Sequence, residues 1–98
     1  MARFDIYRLK SGALVIDLQA TIIDNLDTRV VAPLLSFEEF PKPILRLNPK
    51  LEVAGKTVIM VTHMLGVISV RDIHETIGRF SDDDHAIMAA TDFLFQGF

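Results

Sequence analysis

Residues 81–98 set the terms for the rest of the chain, because they read as one amphipathic helix and a short tail. Ser81 is a suitable N-cap, since its hydroxyl can accept a hydrogen bond from a free amide of the first turn. Asp82, Asp83 and Asp84 then fill that turn, where the positive end of the helix dipole favours them. Ile87, Met88, Leu94 and Phe95 recur at helical spacing as an apolar stripe. The chain closes on Gln96-Gly97-Phe98. Termini are normally polar and frayed, so a terminal Phe98 belongs in the fold, in a dimer or against a partner.

Everything before that helix is rich in strand signals. Residues 3–10 alternate polar and apolar, with Phe4, Ile6 and Leu9 on the apolar side, as a half-buried strand does. Ser11-Gly12 is a turn, and residues 14–19 form a second strand that pairs with the first as a hairpin. Ile22 and Ile23 cannot share one face of a strand, so one is exposed at a bulge or an interface. Asp24, Asn25 and Asp27 mark a loop. Residues 29–35 form a third strand, with Pro33 placing its end at an edge or bulge. Residues 36–50 hold Pro41, Pro43 and Pro49 and form a long connection. It contains a helical turn at 37–40 and a short strand at 44–47. Residues 51–53 and 57–62 flank Ala54-Gly55-Lys56 as a hairpin. Residues 66–70 are a further strand, and 72–78 are either a short helix stopped by Gly78 or a strand end and turn.

The pattern predicts one mainly β (α+β) domain over residues 1–98: a bent antiparallel sheet or partial barrel carrying one C-terminal helix. At 98 residues, half of them hydrophobic, the chain is long enough for one modest core. The net charge of -3 argues against broad binding to nucleic acid, which needs a basic face. The absence of cysteine excludes disulfides, a thiolate nucleophile and a zinc ribbon, and fits a cytoplasmic protein. No signal peptide or membrane span is expected. His63, His74 and His85 show no paired ligand spacing, so neither a metal nor a cofactor is expected. No nucleophile elbow or phosphate-cradling loop occurs. The residues alone point to a binding module.

Several blocks resemble the CcdB family, toxins of toxin–antitoxin modules that poison DNA gyrase. Residues 3–7 (RFDIY) are similar to its Phe-x-Val-Tyr strand. Residues 15–24 (VIDLQATIID) resemble its Val-Asp-Val-Gln-Ser-x-Ile-Ile-Asp block. Residues 29–34 (RVVAPL) match its Arg-x-Val-Ile-Pro-Leu, and 61–64 (VTHM) its Thr-Thr-Asp-Met, with His63 for the aspartate. Residues 95–98 (FQGF) stand where the family ends in Phe-Trp-Gly-Ile.

The resemblance implies a homodimer with an SH3-like partial barrel of the CcdB/MazF type, its terminal helix and tail near the two-fold axis. It implies binding to the gyrase A subunit, trapping of the gyrase–DNA cleavage complex, and neutralisation by a disordered CcdA-like antitoxin. DNA is then met only through gyrase or the antitoxin, in plasmid maintenance and transcription regulation. By position, the target-binding residues are Gln96, Gly97, Phe98, Ile22, Ile23 and Phe4, with Asp92 where the family has an asparagine. Gln96 replaces its tryptophan anchor. Arg8 and Lys10 are the candidates to meet an acidic antitoxin. No catalytic residue is expected. The alternatives are a MazF/Kid-like endoribonuclease using Arg71, Arg29 and His63, and a degenerate non-toxic antitoxin binder.

Overall fold

The computed structural model describes residues 1–21, 25–81 and 83–97. Among the described residues, seven strands form one antiparallel sheet: β1 (Asp5–Leu9), β2 (Leu14–Asp17), β3 (Thr28–Leu35), β4 (Lys50–Val53), β5 (Lys56–Met60), β6 (Gly66–Ser69) and β7 (Ile73–Arg79). The helix α1 spans His85–Gln96. The strand order is β4-β5-β3-β2-β1-β7, and β6 also pairs with β3. This is the expected mainly β architecture, a curled half-barrel with one C-terminal helix.

The two expected hairpins form for local reasons. Gly12 turns between β1 and β2 at φ +93, a conformation that costs a Cβ-bearing residue dearly. Its N–H donates to Leu9 O, and Leu9 N–H donates to Ala13 O. Between β4 and β5, Ala54 and Gly55 both have positive φ, and Val53 pairs with Lys56. That is the two-residue turn whose twist suits a hairpin.

The sheet is buried on both faces. Ile6, Ile16, Leu34 and Met60 form the main core with Ile87 and Ala90 of α1. Tyr7, Val15 and Val31 form a second cluster on the opposite face, with Leu9 and Ile73 packed against it. This explains why Leu9 departs from the phase of Phe4 and Ile6: it belongs to the other face.

Four expectations are corrected. Pro33 lies inside the central strand β3, in regular register opposite Val15 of β2, so at neither an edge nor a bulge of that pairing. β3 pairs with β6 through Val31 and with β5 from Leu34, and Pro33 falls where one partner gives way to the other. Its carbonyl accepts from Val61 N–H on that side, so its missing N–H faces the gap between partners. Residues 44–47 are a turn, not a strand: Leu47 and Asn48 N–H both donate to Ile44 O. The buried Asn48 side chain accepts from Ile44 N–H at 3.0 Å and donates to Met60 O at 3.2 Å. Residues 73–79 are the strand β7 along β1, where pairing outweighs a weak helical spacing. Finally, α1 is capped by Asp84, whose carboxylate accepts from Ile87 N–H at 3.0 Å. Ser81 instead donates its hydroxyl to Asp83, which holds that carboxyl below the usual range. Asp82 lies outside the described residues.

The helical turn expected at 37–40 is present and carries its own lock. Ser36 and Glu39 bond reciprocally through backbone N–H and side-chain oxygen, a capping box. Arg46 stacks 4.5 Å over the Phe93 ring, which ties this loop to α1.

Candidate target-binding surface

The helix stripe divides in two. Ile87 and Ala90 are fully buried, whereas Met88 is 38% and Phe95 72% exposed. Neighbouring helical residues stand about 100° apart, so Ile87 and Met88 cannot point the same way. The apolar stripe therefore supplies two surfaces. Ile87 and Ala90 seat the helix on the sheet. Met88, Thr91, Asp92 and Phe95 face a groove of about 300 Å³.

The opposite wall of that groove is made by Arg3, Phe4, Leu18, Val30 and Leu65. Phe4 is 3% exposed and part of the core, so it contributes a wall rather than a projecting contact. Its backbone is left-handed at φ +69, held by Phe4 N–H to Asp17 O at 2.7 Å and Phe80 N–H to Phe4 O at 3.0 Å. The Arg3 guanidinium lies 4.9 Å over the Phe4 ring. Arg3 opens the RFDIY block, but nothing in the sequence marks it as a site residue. Met88 and Phe95 carry a sequence signal, their seven-residue spacing within the apolar stripe.

Of the expected target-binding residues, the fold brings Phe4 and Asp92 together on one groove. Gln96 and Gly97 are exposed at the end of α1. Gly97 terminates the helix at φ +79, with its N–H on Phe93 O at 2.9 Å. Ile22, Ile23 and Phe98 lie outside the described residues. Arg8 and Lys10 are exposed, and Arg8 lines a separate groove, 3.5 Å from Glu75.

A family model described as CcdB protein matches residues 3–97. The chain belongs to the CcdB family. That membership places it among the toxins of toxin–antitoxin modules. Among curated proteins, none matches at a significant level. Among the described residues, no helix is long and apolar enough to cross a membrane.

One feature of this CcdB chain was not foreseen. Tyr7, Asp17 and Arg29 are all fully buried on the sheet face opposite the main core. Arg29 grips Asp17 with Nε at 2.7 Å and a terminal nitrogen at 3.0 Å, and the Tyr7 hydroxyl donates to the same carboxylate. Asp17 also accepts from Gln19 N–H at 2.9 Å, while the Gln19 side chain accepts from Val30 N–H. The cluster thus fixes the chain where it leaves β2. Burial first, and the Asp17 carboxylate second, push the Tyr7 phenol well above the usual tyrosine range.

That shift predicts an alkaline limb in stability. An unfolded tyrosine loses its proton near pH 10, whereas the buried one keeps it. Above pH 10 the folded state therefore binds one more proton than the unfolded state. Stability then falls as pH rises, by about 1.4 kcal/mol per unit from this group. Urea unfolding of the parent and of Tyr7→Phe between pH 10 and 12 checks it. The variant should lose this contribution, and equal slopes would contradict it.

Proposed function

We propose that this chain is a gyrase-directed toxin that acts by binding, not catalysis. As a homodimer it binds the gyrase A subunit through Gln96, Gly97 and Phe98, with Phe4, Ile22, Ile23 and Asp92 alongside, and traps the cleaved DNA complex. A CcdA-like antitoxin neutralises it, meeting Arg8 and Lys10. The observation that carries this reading is a CcdB-family fold whose helix end, Gln96 and Gly97, is exposed beyond a groove walled by Phe4, Asp92 and Phe95. The RNA-cleaving alternative is disfavoured by Arg29, which is fully buried on Asp17 and cannot reach a substrate.

The purified protein should bind the breakage-reunion fragment of gyrase A and raise the yield of cleaved DNA complexes. Failure of both would end this reading. Glutamine offers less flat apolar area than an interface tryptophan. Gln96→Trp should therefore tighten binding at least about tenfold, equivalent to about 1.4 kcal/mol. Titration of the gyrase A fragment with parent and variant measures it. Toxicity that persists in a host with resistant gyrase A, accompanied by RNA decay, would favour the ribonuclease instead.

A further inference from the structure

The chain has four methionines and no cysteine, so with no thiol to compete, a thioether is its most readily oxidised side chain. The four sulfurs sit in different surroundings. Met60 is fully buried in the main core, while Met1 and Met64 are exposed. Among the described residues that line the groove beside α1, Met88 is the one methionine. Asp92 and Phe95, one and two turns further along α1, stand on the same wall, and Phe4 closes the other. A thioether suits this place, being apolar, pliable and attractive to aromatic rings. The Thr91 hydroxyl on the same wall already donates to Met88 O at 2.9 Å.

We propose that Met88 is a reversible oxidation site that switches this groove off as a binding surface. This deepens the gyrase reading and rests on it: target binding becomes coupled to the oxidation state of the surroundings. The oxidant is hydrogen peroxide. The Met88 sulfur attacks one peroxide oxygen, the O–O bond breaks and an S–O bond forms. Sulfur gives up two electrons, and the other oxygen leaves as water. A dithiol-dependent methionine sulfoxide reductase reverses the step, its two thiols closing to a disulfide as the sulfoxide oxygen leaves as water. The sulfoxide places a strong acceptor in an apolar wall. An apolar target group seated over it strips away its water, while Asp92 beside it offers only acceptors and Thr91 is already committed. If Arg3 turns from the Phe4 ring to the new oxygen, that contact bridges the two walls and occludes the groove. Oxidation of Met64 leaves the groove unchanged, and Met60 is out of reach in the folded chain.

The test treats the full chain with hydrogen peroxide and follows each methionine by peptide mass mapping. Met88 should be oxidised while Met60 stays intact. Two probes then read the groove: the gyrase A fragment, and the apolar dye anilinonaphthalene sulfonate, which assumes no particular target. Oxidation should weaken both at least about fivefold, and a sulfoxide reductase with dithiothreitol should restore them. Met88→Leu cannot form a sulfoxide, so its treated and untreated forms should bind alike, whatever their starting affinity. Met64→Leu should respond to peroxide as the parent does. An unchanged circular dichroism spectrum verifies that the treated parent is folded. Unfolding on treatment, equal oxidation of Met60 and Met88, undiminished binding after treatment, or a response that survives Met88→Leu would each overturn the switch. The gyrase fragment decides where it binds, and the dye decides where it does not. Gyrase binding that ignores oxidation therefore defeats the switch alone. Dye binding that responds to oxidation in a chain that never binds the fragment defeats the gyrase reading alone. Binding of neither probe by the untreated chain defeats both.

Discussion

Arg29→Leu should destabilise the protein by about 3–5 kcal/mol, the cost of leaving one partner of a buried ion pair alone. The side chains of Arg29 and Asp17 are both 0% exposed and joined by two hydrogen bonds, so water cannot replace the lost guanidinium. For a domain of this length the melting temperature should fall by at least about 12 °C. Asp17→Asn in the Arg29→Leu background removes the charge, keeps one oxygen to accept from Gln19 N–H, and places an amide NH2 that can donate to the Tyr7 hydroxyl oxygen. It should recover more than half of the loss. A cost under about 1 kcal/mol, or no recovery, would mean that the pair is solvated in solution.

That cluster also marks what could not be read from the chain. Asp17 and Arg29 are twelve residues apart, and a charged residue in a strand ordinarily signals the solvent side. Only pairing of Asp17 opposite Val31 brings Arg29 to the same face. By contrast, the β1–β2 and β4–β5 hairpins were legible because a glycine turn and two short alternating runs suffice to specify them. Pro33 misled for a physical reason: a missing N–H is tolerated in a central strand if it falls where two partner strands meet. Residues 73–79 misled because Ile73 and Ile77 are spaced for a helix, while the unpaired edge of β1 rewards a strand. The candidate site was legible mainly by resemblance. Pattern alone led to the helix and its apolar end. It did not separate Met88 and Phe95, which face the groove, from Ile87 and Ala90, which face the core.

The division of the helix surface makes two adjacent substitutions unequal. Ile87 is 0% exposed and packs in the main core, so Ile87→Ala should cost about 2–5 kcal/mol through lost burial and the cavity left behind. Met88, one residue on, is 38% exposed on the groove, and Met88→Ala should cost no more than about 1 kcal/mol. Urea midpoints with unchanged slopes measure both directly. The contrast follows from the roughly 100° between neighbours on a helix, not from their chemistry, since both are large and apolar. The partner surface should invert the order. Met88→Ala should weaken binding to the gyrase A fragment if the groove beside Phe4 and Phe95 is part of the contact. Ile87→Ala should bind normally under conditions where it remains folded, because its side chain never reaches the surface. Equal stability costs at the two positions would mean that α1 sits on the sheet by a different face. The groove built from Met88, Asp92 and Phe95 would then have to be redrawn with it.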